Sequence, residues 1–199
     1  MARYAIIGWG SLLWDMDGLE RHVSGAWMLR AGPRLPLEFS RVSPKRLMGL
    51  AVCIDPVEGT PCPTHAVPSV RDGIAAVVDD LARRERAPQE RIGRVCLVSG
   101  AAGGRMQSVV ETVRAWCSAE GWAGAVWTDL EPNFEAMAGA PFGHQAAERH
   151  LRALPPAGFA EALRYLHEAP QETDTALRRF LAGRPWWSEA LARHGLAAR

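Results

Sequence analysis

Tyr4-Ala-Ile-Ile-Gly-Trp-Gly-Ser-Leu-Leu-Trp-Asp, residues 4 to 15, is the stretch of the chain that says most about its fold. The apolar run from Tyr4 to Ile7 predicts a short strand, because aromatic and β-branched residues favour extended structure. Gly8 and Gly10 permit backbone conformations that other residues avoid, so a tight loop is expected after the strand. The backbone N–H groups of such a loop suit a carboxylate or an oxyanion.

The same loop lacks the signatures of three common sites. No Gly-Lys-Ser/Thr follows it, as a Walker phosphate loop would require, and Leu13 stands where the third glycine of a dinucleotide-binding loop belongs. The Gly-x-Ser-x-Gly elbow of the α/β hydrolases is also missing. A glycine turn after a first strand is, on its own, more often structural than functional, so other residues must decide.

Composition narrows the class of protein. The 199 residues carry 23 basic and 22 acidic side chains, a formal net charge of +1, which does not favour a nucleic-acid or membrane-surface partner. The N-terminus does not resemble a signal peptide, and no apolar run reaches the roughly 20 residues of a membrane helix. The cysteines form no C-x-x-C pair and are expected to be reduced thiols of a cytoplasmic protein: Cys53, Cys62, Cys96 and Cys117.

Periodicity predicts strands and helices in alternation over the first 130 residues. Strands are expected at 35–42, 47–54, 92–99 and 123–130, and helices at 70–85, with Ser69 as its cap, and at 105–119. The proline-rich segment 56–68 predicts a surface loop with extended pieces. Segments 92–99, 105–119 and 123–130 have the lengths of a βαβ crossover unit, although a mixed sheet would give the same pattern.

The chain after Pro132 is predicted to be almost entirely helical, with helices at 144–154, 158–168 and 172–181 and a short one at the end. The expected architecture is therefore an α+β body with a mixed sheet, residues 1–130, and a helical C-terminal extension, residues 131–199. The extension is expected to pack on the body or on a second subunit, as in a homodimer. Trp186 and Trp187 fit core packing better than a docking surface.

Three segments resemble the γ-glutamyl cyclotransferase-like superfamily, especially its ChaC-type branch. Residues 4–15 resemble the N-terminal Tyr-Gly-Ser-Leu signature, with Trp9 in place of the usual tyrosine. Leu37-Glu-Phe-Ser-Arg-Val-Ser is similar to the family's next strand. Asp79-Asp-Leu-Ala-Arg-Arg-Glu-Arg resembles the helical segment Leu-Asp-x-Arg-Glu that carries the catalytic glutamate. The likeness spans residues 3 to 99, and the C-terminal half contributes nothing to it.

The resemblance implies a barrel-like mixed-sheet body and an enzyme that cyclises a γ-glutamyl amide or peptide to 5-oxoproline and releases the amine. Glu85 matches the family's general acid/base. Attack within one substrate molecule needs no cofactor, metal or covalent nucleophile. The resemblance places six further residues around the γ-glutamyl substrate: Trp9, Gly10, Ser11, Leu12, Arg41 and Ser43.

Other interpretations remain open at this level. Glu85 could be a solvated charge at the helix end Arg-Arg-Glu-Arg, and Arg41 a surface ion-pair partner. The chain could be a cyclotransferase-like binding module without turnover, its helical extension docking a partner. It could also be an unrelated α+β hydrolase, with Glu85 far from residues 9–12. His144, Glu148 and His150 have near-helical spacing but lack a further ligand, which predicts an exposed helix face rather than a metal site.

Overall fold

Eight strands and seven α-helices form the part of the chain, residues 2–196, that the computed structural model describes. The strands are β1 (Tyr4–Gly8), β2 (Arg34–Ser43), β3 (Gly49–Ile54), β4 (Thr60–Pro63), β5 (His65–Pro68), β6 (Ile92–Cys96), β7 (Ala102–Gly103) and β8 (Gly124–Thr128). The helices are α1 (Ile74–Glu85), α2 (Gln107–Glu120), α3 (Phe134–Ala138), α4 (His144–Ala153), α5 (Pro156–Glu168), α6 (Ala176–Ala182) and α7 (Pro185–Arg193). The predicted α+β class is confirmed.

The chain divides into two compact units, and each is discontinuous in sequence. The first unit contains the chain up to Leu35 together with Pro63–Leu130. The second contains Pro36–Cys62 and the chain from Glu131 onward. Residues 36–62 therefore group with the C-terminal helices, whereas the sequence placed them in one body with the rest of 1–130.

The first unit is built on a mixed sheet with the strand order β5-β1-β8-β6-β7. β1 runs parallel to β8, while β5 pairs with β1, and β6 with both β8 and β7, in antiparallel fashion. Between residues 2 and 196 neither sheet closes on itself, so the expected barrel-like closure is not found. The core of this unit includes Tyr4, Ile6, Leu12, Leu81, Ile92 and Val126.

Two segments of this unit differ in part from their predicted structure, and for each the prediction had included the feature that is found: a mixed sheet around α2 and extended pieces within 56–68. β6 and β8 pair antiparallel, so the segment around α2 is not a parallel βαβ crossover. Residues 65–67 lie buried in β5 rather than in a surface loop, because β5 covers the edge of β1. Pro63 and Pro68 are the last residues of β4 and β5, and both strands lie at the edge of a sheet, where proline's missing N–H is tolerated.

Helix α1 begins later than its apolar pattern predicts. The Ser69 hydroxyl accepts a hydrogen bond from the Arg71 backbone N–H at 3.1 Å, which forms a local turn in place of a helix cap. The helix starts at Ile74, after Gly73 in extended conformation, and ends at Glu85. Arg86 follows in the left-handed region with φ 52° and closes the helix C-terminus.

The second unit contains the sheet β3-β2-β4 and helices α3 to α7. A Cβ added to Gly49 in β3 would lie 3.2 Å from the Ala162 Cβ of α5, so strand and helix are packed closely. The rings of Phe39 in β2 and Tyr165 in α5 meet edge to face at 6.1 Å. Such packing joins residues 36–62 to the C-terminal helices. It is not visible in sequence because the partners lie more than a hundred residues apart.

Several side chains of the C-terminal helices differ from their predicted surroundings. His150 is half-buried, with its Nε2 2.8 Å from the Met48 carbonyl, and Glu148 is also half-buried, so they do not form a freely exposed face. By contrast, Trp187 is buried and Trp186 half-buried, which agrees with the predicted core packing. None of the helices found between residues 2 and 196 has the length and apolar character needed to cross a bilayer.

Candidate functional site

The glycine loop after β1 forms a short 3₁₀ helix, Gly10–Leu13. Gly10 has φ 56°, a conformation that favours glycine. A Cβ at Gly8 would come 2.4 Å from the Trp27 ring, so the strand end packs directly against that indole. The leading N–H groups of the 3₁₀ helix have no partner within it. The Ser11 carbonyl accepts hydrogen bonds from the backbone N–H groups of Trp14, at 3.1 Å, and Asp15, at 2.8 Å.

The four loop residues predicted to bind substrate are all buried. Trp9 is 7%, Ser11 7% and Leu12 3% exposed, and Gly10 is also buried. Leu12 belongs to the apolar core of the first unit, which gives it a packing role. Ser11 differs from its neighbours because its hydroxyl has a charged partner.

That partner is Arg84, the residue before Glu85 on α1. One guanidinium nitrogen donates to Glu85 Oε1 at 2.6 Å, and the other donates to Ser11 Oγ at 3.3 Å and also to the Asp15 carbonyl. The Arg84 and Glu85 side chains are only 10% and 13% exposed. In such surroundings, an ion pair is worth more than the same pair in open solvent. A single guanidinium therefore links Glu85 to the Ser11 loop.

Thr128 adds a second contact to the same carboxylate oxygen. Its hydroxyl donates a hydrogen bond to Glu85 Oε1 at 3.0 Å. Thr128 is the last residue of β8, which runs parallel to β1 with Ile7 opposite Trp127. Because parallel neighbours end at the same edge of a sheet, Thr128 and the loop after β1 are brought together there.

Helix α1 is fixed by a buried acid, Asp80, five residues before Glu85. The Asp80 side chain is 1% exposed and accepts hydrogen bonds from Arg71, at 2.6 and 2.9 Å, and from Arg83, at 2.9 Å. His22 Nε2 lies 3.7 Å from Asp80 Oδ1. Hydrogen bonding to this carboxylate raises the pKa of Arg71. These bonds tie α1 to the segment before it and to the 3₁₀ helix Leu19–His22, and so define where Glu85 lies.

The remaining two predicted residues, Arg41 and Ser43, belong to β2 in the second unit. The Arg41 guanidinium donates to the Glu131 carbonyl at 2.5 Å within that unit. Ser43 precedes the 3₁₀ helix Pro44–Arg46, and its carbonyl accepts the Met48 N–H at 3.0 Å. The structure thus groups the residue 9–12 loop with Glu85 in the first unit and gives Arg41 and Ser43 contacts in the second.

Arg84 and Thr128 were missed by the sequence interpretation, although one indication of Glu85's position was present. Val77, Leu81 and Glu85 are spaced four residues apart and therefore share a helix face, and the first two are fully buried. A charged residue on the same helix face as buried apolar residues is expected to have a hydrogen-bonding or oppositely charged partner. Nothing local identifies Thr128, since its proximity depends on the pairing of β1 with β8.

A carboxylate held between a guanidinium and a hydroxyl can accept a proton and return it without moving. Between residues 2 and 196, no three side chains of histidine, cysteine, aspartate or glutamate are grouped in a way that could hold a metal ion. Comparison with known proteins finds no match for the chain among protein-family models, curated proteins or solved structures.

Proposed function

We propose that the protein is a γ-glutamyl cyclotransferase-like enzyme, which converts a γ-glutamyl amide or peptide to 5-oxoproline and releases the amine. Glu85 is the general acid/base. The observation that carries the proposal is the link from Glu85 through Arg84 to Ser11, because it joins two segments that resemble the family and lie more than seventy residues apart.

The proposed reaction needs a base because the substrate's α-amino group is an ammonium ion at neutral pH. Glu85 accepts one proton from it, and the free amine attacks the γ-carbonyl carbon to form a five-membered ring. The amide C–N bond then breaks as the departing nitrogen is protonated. Two protons leave the attacking nitrogen and two reach the released ammonium, so Glu85 ends in its starting ionisation state.

Arg84 and Thr128 act as positioning residues in this proposal. Both donate to Glu85 Oε1, at 2.6 and 3.0 Å, and this defines the direction of the carboxylate. Fixed geometry matters because ring closure is fast only when the amine and the carbonyl carbon are held at near-attack distance. The loop Gly10-Ser11-Leu12 holds the substrate's α-carboxylate or the developing oxyanion through its backbone N–H groups.

A second candidate, a binding module without turnover, is favoured by one specific observation. Trp9 replaces the signature tyrosine and is 7% exposed, so it offers no phenol hydroxyl to a substrate. A chain that has kept the loop but lost a substrate contact could bind a γ-glutamyl compound and leave it intact. The two candidates differ in product formation and agree in binding.

The deciding experiment is the Glu85→Gln variant assayed for 5-oxoproline release from a panel of γ-glutamyl amides. Gln keeps the size and one acceptor oxygen but cannot take a proton, so turnover is expected to fall by roughly 10²- to 10⁴-fold. Glu120→Gln is the matched control, because Glu120 is also the last residue of its helix but is exposed. Both variants should keep the wild-type melting temperature within a few degrees.

Each outcome separates the candidates. If the wild type releases no 5-oxoproline but γ-glutamyl compounds raise its melting temperature, the binding module is correct. If Glu85→Gln retains wild-type turnover, Glu85 is not the acid/base and the proposed mechanism fails.

A further inference from the structure

A groove in the second unit is lined by three arginines that serve no purpose in the proposed reaction. Arg149 and Arg152 lie one turn apart on α4, and Arg184 immediately precedes α7. Together with Gln145, Glu148 and Ala153 they line a volume of about 540 Å³. Three guanidinium groups and one carboxylate leave an excess of two positive charges in this groove.

These arginines are poorly paired with the one acid among them. Glu148 lies 3.7 Å from Arg152 and 3.4 Å from Arg184, contacts longer than a charge-assisted hydrogen bond. The buried Arg184 Nε–H has no hydrogen-bond partner in the described part of the chain. Arg149 forms no hydrogen bond or ion pair with any residue between 2 and 196, and it is exposed.

Arg164 in the same unit shows what a fully paired arginine looks like in this protein. It donates four hydrogen bonds to two acids, at 2.8 to 3.0 Å to Glu161 and at 2.5 Å to Glu168. The arginines of the groove make none to a carboxylate. Arg149 and Arg152 are exposed, so their N–H groups are available to an external acceptor, while Arg184 packs over the Phe180 ring at 4.1 Å from the centroid. The planar guanidinium suits the paired oxygens of a phosphate.

The position of Glu148 explains how the groove can stay open. The Trp186 indole N–H donates to Glu148 Oε1 and holds the carboxylate to one side. Arg152 also lies over the Trp186 ring, at 5.4 Å from the centroid, which limits its movement. Glu148 lies near both Arg152 and Arg184 and offsets one of the three positive charges that line the groove.

We propose that this groove binds a phosphate group, either as inorganic phosphate or as a small phosphomonoester. A dianion matches the excess charge, and a phosphate offers enough acceptor oxygens to engage all three guanidinium groups. The proposal is independent of the cyclotransferase activity, because every residue it uses lies in the second unit and none belongs to the Glu85 site.

The test is isothermal titration calorimetry of the full chain at low ionic strength, with inorganic phosphate and with phenyl phosphate as the ligands. Saturable binding is expected, and the tighter of the two ligands identifies the source of the phosphate group. Arg149→Gln and Arg152→Gln should each weaken binding by about tenfold, since each removes a charge-assisted contact. Arg164→Gln, the paired arginine outside the groove, should leave the affinity unchanged.

Glu148→Gln gives the most specific test, because it should strengthen phosphate binding whereas the arginine variants should weaken it. The amide keeps an acceptor for Trp186 but removes the competing negative charge, so phosphate should bind several-fold more tightly. Absence of saturable binding in the wild type overturns the proposal. Equal affinity in the wild type and the Arg149→Gln/Arg152→Gln double variant also overturns it, and a melting curve of each variant verifies folding.

Discussion

Glu85 and Glu38 are two carboxylates with low exposure, one in each compact unit, and their surroundings differ in kind. Glu85 is 13% exposed and is held by a guanidinium and a hydroxyl. Glu38 in β2 is 0% exposed, and its two oxygens accept the backbone N–H groups of Phe39, at 2.7 Å, and Leu177, at 3.2 Å. Burial raises the pKa of Glu38, and hydrogen bonds from Thr175 and these two N–H groups, with the nearby His144, oppose that rise.

Burial of an acid therefore does not by itself indicate a catalytic role. Glu38 accepts hydrogen bonds from backbone N–H groups on β2 and at the start of α6, so its role is to stabilise the packing of this strand against this helix. Glu85 accepts hydrogen bonds from two side chains, Arg84 on its own helix and Thr128 on β8, and keeps a fraction of its surface open. If this contrast is correct, changes at Glu38 should affect stability, and changes around Glu85 should affect turnover.

Glu38→Ala should show the largest effect on stability. It leaves two buried N–H groups without an acceptor, at a cost of about 1–3 kcal/mol each, so the free energy of unfolding should fall by roughly 3 kcal/mol. Urea denaturation measures this loss. Glu58→Ala, an exposed acid of the same unit, is the control and should change stability little. A loss below about 1 kcal/mol for Glu38→Ala would contradict its assigned role.

Arg84→Met should reduce turnover by roughly 10- to 100-fold with a smaller change in stability, because Glu85 loses the group that orients it toward Ser11. Steady-state kinetics with a γ-glutamyl amide would show the loss mainly in kcat. Arg86→Met is the matched control on the other side of Glu85: its side chain is 67% exposed and pairs with the exposed Asp17. Equal losses in both variants would argue against a specific role for Arg84.

The pH dependence of stability should reveal Glu38 directly. Because its pKa is raised by folding, the folded state holds the proton more tightly than the unfolded chain does. The resulting stability is fully present below the unfolded pKa of about 4.3 and is lost as the pH rises through the higher folded pKa. The Glu38→Gln variant has no titratable group at this position, so it lacks this pH-dependent contribution to stability. The wild-type minus Glu38→Gln difference in unfolding free energy should therefore decrease with rising pH, and a flat difference would refute the assignment.

Thr128→Val should give the smallest effect. The change keeps the side chain's shape but removes one hydrogen bond to Glu85 Oε1, which is worth about 1 kcal/mol, so kcat should fall several-fold. Thr112→Val, on the exposed face of α2, is the control. A change in KM alone would indicate that Thr128 contacts substrate rather than orienting Glu85.

The parts of the fold that follow from local pattern were predictable. β1, its glycine loop and the end of α1 at Glu85 agree with what the residues favour. The burial of β5 was not predictable, because the prolines of segment 56–68 indicate a surface loop and the pairing with β1 is a long-range contact. The grouping of residues 36–62 with the C-terminal helices depends on contacts such as Gly49 with Ala162, which no local pattern encodes.

The residues of the candidate site likewise fall into those that local sequence predicts and those that depend on long-range contacts. Ser11 and Glu85 could be selected from short motifs, since each motif is contiguous. Arg84 looked like one more charge in a basic helix end, and its role depends on the distance between α1 and a loop more than seventy residues earlier. Arg41 and Ser43 were selected because residues 37–43 resemble a strand of the family, and these residues belong to the second unit.

The position of β8 has a consequence for how the protein is made. This strand is the last of its sheet to be synthesised, yet it lies between β1 and β6, which are paired with each other only through it. A nascent chain that ends before residue 124 lacks the middle of its sheet and cannot supply Thr128. Contacts across such a long sequence separation slow folding, because the loop must close before they form. The proposed acid/base site should consequently be complete only after residue 128 has left the ribosome, so it assembles late in the synthesis of the chain.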